Sequence, residues 1–258
     1  MLTNPTLEHL KDMKLSGMVD AYTRQLELPD ATGLTFEERF SLIVDYEWTK
    51  RKSNQLDRLI RQANFPQEAL LEDIIYTEKR KLNKNLIQTL STTDWIKQGL
   101  NLILTGPTGV GKTYLAVAFG FMACRRNQQV KYYRVNKLLE ELATAKANGG
   151  YLKFLKQLQK CDLLILDDWG LNSFSTSESR TLLDVVDDRN LKKSTIIVSQ
   201  IPIDTWGKVI GDSTIADAIM DRIIHNAYIL NPDGPSFRGM DAQKRKDAAK
   251  PVEVETSK

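Results

Sequence analysis

Histidine and cysteine are scarce in this chain of 258 residues, with two of each. Cys124 and Cys161 lie far apart and without C-x-x-C spacing, so neither a zinc site nor a redox dithiol fits them. Both fall in apolar stretches, which predicts buried free thiols in a reducing cytoplasm. No run approaches the roughly 18 apolar residues of a membrane span, and the N-terminus lacks a signal-peptide pattern. A cytoplasmic location with no membrane partner is therefore expected. A strong charge of one sign is missing too: 36 basic against 33 acidic residues leave a net +3. Clusters say more than that total. Lys50, Arg51 and Lys52 with Arg58 and Arg61 are locally basic, as are Lys79, Arg80 and Lys81 with Lys84.

What is present is organised around Asn101-Leu-Ile-Leu-Thr-Gly-Pro-Thr-Gly-Val-Gly-Lys-Thr113. An apolar strand runs into a glycine-rich loop with the spacing G-x-x-x-x-G-K-[ST], the pattern of a phosphate-cradling loop. Gly106, Gly109 and Gly111 remove side chains where backbone N–H groups must turn inward around phosphate oxygens, with Pro107, Thr108 and Val110 between them. The helix expected from about Lys112 adds its positive end to the same anion. Lys112 supplies a full charge for the β- and γ-phosphates of ATP, and the Thr113 hydroxyl suits Mg²⁺.

Upstream, residues 5–28 show a helical stripe of Leu15, Met18, Tyr22 and Leu26, broken by Pro29 to Gly33. Thr35 and Glu38 form a capping-box pattern that opens a long helix to about Ala63, with Phe36, Phe40, Ile43 and Val44 on its apolar side. Arg51, Asn54, Arg58 and Arg61 share one face of it, read either as a solvated stripe or as a contact with a DNA phosphate backbone. Residues 67–98 read as a helical linker, with Tyr76 a contributor to an adenine pocket.

From Gly99 strands alternate with helices, the mark of a parallel sheet in an α/β layer fold. Val130–Val135 is the second strand, after which Asn136 suits a helix cap. A further helix carries Tyr151, Phe154, Leu155 and Leu158 inward and Lys153, Lys156, Gln157 and Lys160 outward, again a solvated face or a nucleic-acid contact. Asp162–Asp168 is a buried strand ending in two carboxylates, and ligands in such sheets bind beyond the strands' carboxyl ends. Asp167 is expected to hold Mg²⁺ and Asp168 to orient or deprotonate the attacking water. Ser175 and Glu178 cap the next helix. Ser194–Gln200 is a fourth strand whose Gln200 reads as a γ-phosphate sensor or as a loop glutamine. Helix 213–226 turns Ile215, Ile219, Met220 and Ile223 to the core. Arg222, off that face, is a surface ion pair or a finger into a neighbouring subunit's ATP, and His225 reads as structural. Ala227–Leu230 is a last strand, and the chain from about Asp241 has the composition of a disordered tail.

The segments GPTGVGKT, LLILDDWG, TIIVSQ and GDSTIADAIMDRIIHNA, ending at SFR, together resemble the IstB family of ATP-binding helpers encoded beside IstA-type transposases. They are similar to DnaC-type helicase loaders in the initiator branch of the AAA+ ATPases. The resemblance implies an α/β P-loop NTPase core over 99–240 without a C-terminal lid, preceded by a helical DNA- or partner-binding domain over 1–66, with a linker at 67–98 and a tail at 241–258. It implies nucleotide binding by Gly106 to Thr113, a Walker-B pair at Asp167 and Asp168, a sensor at Gln200 and an arginine finger at Arg222. Arg238 is implied as a second phosphate-reading arginine. DNA binding is placed in the N-terminal helices and in the additional helix around Lys153. The implied activity is slow ATP hydrolysis by a homo-oligomer with ATP at its subunit interfaces, assembled on double-stranded DNA to assist an IstA-type transposase. A replicative helicase loader and a nucleotide-gated architectural protein with negligible hydrolysis are the rival readings. Asp168 stands where many AAA+ proteins have glutamate, one carbon longer, which is the reason slow hydrolysis is expected. Gln200 likewise replaces the more frequent asparagine.

Overall fold

The structure, a computed structural model, describes residues 5–27 and 33–237. The break expected at Pro29 to Gly33 falls mainly outside those residues, and Arg238 and the tail from Asp241 fall wholly outside them. Contacts divide the chain into two units, one up to Arg58 and one from Leu59. The stretch 67–98 belongs to the second unit, where Ala69, Ile74, Ile87, Leu90, Trp95 and Ile96 are buried.

In the first unit the stripe expected over residues 5–28 is two helices, α1 (Pro5–Asp12) and α2 (Ser16–Glu27). Lys14 adopts φ 58° between them, a left-handed turn that periodicity alone does not show. Helix α3 (Phe36–Ala63) opens on the expected box, in which Thr35 N donates to Glu38 Oε2 at 2.7 Å and Glu38 N to Thr35 Oγ1 at 3.3 Å. Its packed side is not the expected one. Glu47 is buried and accepts from Gly17 N (2.6 Å) and Met18 N (3.0 Å), so its carboxylate caps the N-terminus of α2. Burial opposes ionisation of Glu47, but Arg51 and the two amides outweigh it and hold its carboxyl below the usual range. A Cβ on Gly17 would lie 2.7 Å from Glu47 Cα, so glycine permits this approach. Phe36, Phe40, Val44 and Trp48, four residues apart, stay exposed, Phe36 at 68 % and Trp48 at 62 %. The polar contacts of Glu47 and Lys50 orient the helix, not its most apolar stripe.

The second unit is a parallel sheet of five strands: β1 (Asn101–Thr105), β2 (Val130–Arg134), β3 (Leu163–Trp169), β4 (Ser194–Ser199) and β5 (Ala227–Leu230), in the order β2-β3-β4-β1-β5. Short helices α4 (Lys84–Leu90) and α5 (Asp94–Lys97) lead into it. The crossovers are α6 (Lys112–Arg125), α7 (Val135–Ala147), α8 (Tyr151–Lys160), α9 (Thr176–Arg189), α10 (Trp206–Ile210) and α11 (Ser213–Ile224). Alternation along the strands sends Ile103, Leu164, Leu166 and Ile197 into one core with Leu138, Leu142, Leu182, Val185, Ile219 and Ile223. On the other face lies α6, apolar nearly all round because it is covered on all sides. Gly120 of α6 leaves room for Phe65 and Ile165, since a Cβ there would meet Phe65 at 2.7 Å and Ile165 at 3.0 Å.

Asn136 lies inside α7, whose N-cap is Arg134. Ser175 and Glu178 do form the expected capping box on α9. Cys124 and Cys161 are buried and free, and burial raises both thiols, Cys124 to about 12. Among the described residues no helix is long and apolar enough to cross a membrane.

Candidate nucleotide-binding site

The loop between β1 and α6 has the geometry its glycines predict. Gly106, Gly109 and Gly111 hold φ of 150°, 85° and 91°, a backbone that L side chains rarely adopt. Gly111 is the N-cap of α6 and offers no side chain, so the first amides of that helix keep no side-chain cap. Lys112 Nζ donates to the carbonyls of Gly106 and Pro107, both at 2.7 Å, which sets the ammonium across the loop.

Beside it Thr113 Oγ1 donates to Asp167 Oδ2 at 2.9 Å, joining the two residues expected to hold a metal. The buried Tyr132 hydroxyl donates to the same carboxylate oxygen at 2.7 Å. Burial first, then the charge of Asp167, pushes that phenol up, so Tyr132 remains a donor throughout the physiological range. The pairing of β3 with β4 slips here: Leu166 faces Ile197, but Trp169 faces Ser199. Two residues, Asp167 and Asp168, therefore oppose one, a β-bulge that turns Asp168 to φ 60° and aims it away from the ladder. Asp168 Oδ2 lies 3.6 Å from Arg134 Nε, at the end of β2. Gln200, just past β4, accepts from Thr108 Oγ1 at 2.6 Å, so the sensor candidate touches the loop itself.

Thr108, Thr113, Arg134, Asp167, Asp168 and Gln200 line one end of a cleft of about 520 Å³. Its other end is walled by Gln67, Ile74, Ile75, Arg80 and Phe237. Tyr76, expected there, is 40 % exposed with Lys84 over its ring. Tyr114 ties the wall to α6 by bonding the backbone N and O of Leu70, each at 3.2 Å. The segment after β5 covers the back of the loop. Phe237 N donates to Gly109 O at 3.0 Å, and Cβ atoms on Gly106 or Gly109 would collide with Pro232 O or Ser236 Oγ. Arg80, read from sequence as part of a locally basic cluster, is buried, and a Cβ on Gly111 would lie 3.0 Å from its Nη2. Only its place in a Lys-Arg-Lys run was visible in the sequence, and that run points to solvent as readily as to a site.

Other candidates lie elsewhere. Arg222 Nε donates to Asp187 Oδ1 of α9 at 2.6 Å, an ion pair on the surface. His225 is exposed, 3.4 Å from Asp221. Lys50 pairs with Asp20 at 2.7 Å, and Arg51 bonds Glu47 and the Lys14 carbonyl. Lys52, Arg58 and Arg61 are exposed, as are Lys153, Lys156 and Lys160 along α8.

The residues present fit a magnesium triphosphate. The loop is a cradle whose three glycines cannot carry side chains, and its amides and Lys112 offer donors and charge to an anion. Among the described residues no group of three metal-ligating side chains occurs. One hydroxyl and one carboxylate suffice for Mg²⁺, which takes its remaining ligands from phosphate and water.

A family profile described as IstB-like ATP binding protein matches residues 8–247. An insertion sequence ATP-binding protein of Sinorhizobium fredii is 38 % identical over 244 residues, 95 % of this chain and 100 % of that one. The ATP-binding protein of insertion sequence IS1162 from Pseudomonas fluorescens is 44 % identical over 206 residues, 80 % of this chain and 89 % of its own. Among solved structures, the DnaC helicase loader superposes with a TM-score of 0.55 at 20 % identity, covering 67 % of this chain and 99 % of that one. AMPPCP-bound DnaA from Aquifex aeolicus gives 0.56 at 18 % identity, over 75 % of this chain and 58 % of its own. Both share the fold of this chain's parallel-sheet core. With its phosphate loop and paired aspartates in one cleft, and a family match over nearly its whole length, the chain belongs to the IstB-like ATP binding proteins.

Proposed function

We propose that this protein is an ATPase that assembles on double-stranded DNA as a homo-oligomer and assists or regulates an IstA-type transposase. The observation that carries the enzymatic part is the convergence of Lys112, Thr113 and Asp167 on one cleft, with Asp168 beside them on the bulge. The names of the similar proteins place them in insertion sequences, which supports a transposase as partner.

Lys112 and the loop amides bind the β- and γ-phosphates, while Thr113 and Asp167 would hold Mg²⁺, which supplies charge neutralisation when bound. Asp168 takes a proton from water as its oxygen bonds to the γ-phosphorus and the bond to the ADP oxygen breaks. Gln200 senses that phosphate and reports it to the loop through Thr108. Arg134 competes for the Asp168 carboxylate, and aspartate reaches less far than glutamate, so turnover is slow until assembly.

Arg222 acts as the finger for a neighbouring subunit. Its pair with the exposed Asp187 is of the kind worth about 0–1 kcal/mol, so it exchanges readily. Arg222→Ala should lower ATPase of the assembled protein by about 10³–10⁵-fold and leave nucleotide binding by the monomer intact. Normal turnover in that variant removes the role.

Duplex DNA would lie along the exposed lysines of α8, and contacts to phosphate imply salt sensitivity with little sequence preference. Replacing Lys153, Lys156 and Lys160 together by Gln should flatten the log–log salt slope of duplex binding by about 2.7, at roughly 0.9 per phosphate. An unchanged slope would clear α8 of DNA contact. The proposal as a whole is tested by ATPase assays with and without duplex DNA, with Lys112→Ala as control. ATPase indistinguishable between the two proteins would reject it.

A further inference from the structure

Among the described residues two arginines of the second unit are buried, and they are held very differently. Arg189, 1 % exposed, places its donors on the carbonyls of Leu158, Cys161 and Ser194 and on Thr195 Oγ1, so that Nε and both Nη atoms are bonded. It is a complete structural staple. Arg80, 6 % exposed, has Nη1 on the Ile75 carbonyl at 2.7 Å and Nη2 on the Val110 carbonyl at 2.9 Å. Its Nε meets no acceptor among the described residues. Among the described residues no carboxylate lies within ion-pair distance of it, and Phe237 covers the guanidinium with its ring centre 4.7 Å away.

Tying two carbonyls together does not need a cation, and burying a cation is costly unless something compensates it. Two carbonyl dipoles and one ring face are a weaker setting than the four oxygens around Arg189. Position supplies the missing part. Arg80 lines the nucleotide cleft and holds the carbonyl of Val110, the residue before Gly111 and Lys112, which line the same cleft. Residues around it are anchored: Asp233 N donates to Arg80 O at 3.0 Å, and Lys81 pairs with Asp233 at 2.8 Å. The charge is thus fixed beside the phosphate loop by the chain on both sides.

We propose that Arg80 is a nucleotide-binding cation whose countercharge is the polyphosphate of the bound nucleotide. The inference rests on ATP binding at the glycine loop. Arg80 positions the Val110 peptide and adds a fixed positive charge from behind the loop, complementing Lys112 at its front. Its contribution scales with the charge of the ligand and does not extend to the nucleoside.

The test is the affinity of the full chain for ATP, ADP, AMP and adenosine by calorimetry, for the wild type and for Arg80→Met, Arg80→Lys, Arg80→Gln and Lys112→Ala. Arg80→Met should weaken ATP by about 10–100-fold, AMP less, and adenosine not at all. Arg80→Lys should recover most of the ATP affinity. The ligand-free Tm of Arg80→Met should fall only modestly, because losing the bonds to the Ile75 and Val110 carbonyls is offset by removing a buried cation, whereas the rise in Tm on adding ATP shrinks. If the Met variant does not fold, Arg80→Gln, which keeps a donor without charge, is read by the same ratios. Equal losses for ATP and adenosine would make Arg80 a geometric staple or a base contact and overturn the proposal, as would unchanged ATP affinity. If Lys112→Ala binds ATP like the wild type, it is the glycine-loop reading that fails. If Lys112→Ala is weak and Arg80→Met is not, only the role of Arg80 fails.

Discussion

Asp167→Asn should lower magnesium-dependent ATP turnover by about 10³-fold while the protein stays folded and still binds ATP. The carboxylate sits at the centre of a small network. It receives the hydroxyls of Thr113 and Tyr132 on one oxygen, and on the other the amide of Asp168 at 2.8 Å. Asparagine has the same shape. Its amide nitrogen can donate to the two hydroxyls, which accept as well as donate, and its oxygen keeps the Asp168 N–H. What disappears is the negative charge, and with it the hold on a divalent cation. Alanine would be a poorer probe, because it strands a buried phenol and costs about 1–3 kcal/mol of stability for reasons unrelated to chemistry. The measurement is ATPase against magnesium concentration, paired with ATP binding. Turnover within about threefold of wild type would show that this carboxylate does not serve the reaction.

Gly106→Ala is the second large effect, and it should appear with no nucleotide in the solution. At φ 150° an alanine is strained, and its Cβ would lie well under 3.0 Å from the carbonyl oxygen of Pro232, which as backbone cannot swing aside. A loss of about 3 kcal/mol follows, on the order of 6–12 °C in Tm for a unit of this size. If the glycine served the phosphates alone, the ligand-free protein would melt as the wild type does. An unshifted ligand-free Tm would mean that the segment after β5 does not bear on the loop. The variant thus separates two demands on the same residue, one from the ligand in front and one from the chain behind.

Much of the nucleotide half, and the start of α3, was legible because the signals there are local. The glycine spacing, the apolar run into Asp167 and the capping boxes at Thr35 and Ser175 each depend on residues a few positions apart, and each sits where the pattern puts it. The apolar spacing of α11 likewise buries Ile215, Ile219 and Ile223. The misreadings have a common form. Phe36, Phe40 and Val44 made the most apolar stripe of α3, but the helix is oriented by Glu47, whose partners Gly17 and Met18 lie about thirty residues away. Arg80 read only as one of a locally basic cluster because its neighbours are lysines. Its acceptor Val110 lies thirty positions on and Phe237 much further still.

By itself, then, the sequence determined that a parallel sheet would carry a phosphate loop at one strand end and two carboxylates at another, since strand continuity and glycine conformation are settled within a few residues. Only the tertiary structure decided which charges face the cleft and which are spent elsewhere. Asp168 is aimed by a mismatch between β3 and β4, Lys50 and Arg51 are drawn into ion pairs beside α2, and Arg80 is sealed under Phe237. The burial and partners of a charged side chain are set by whatever the fold brings against it, and for these residues that chain lies beyond the reach of any local pattern.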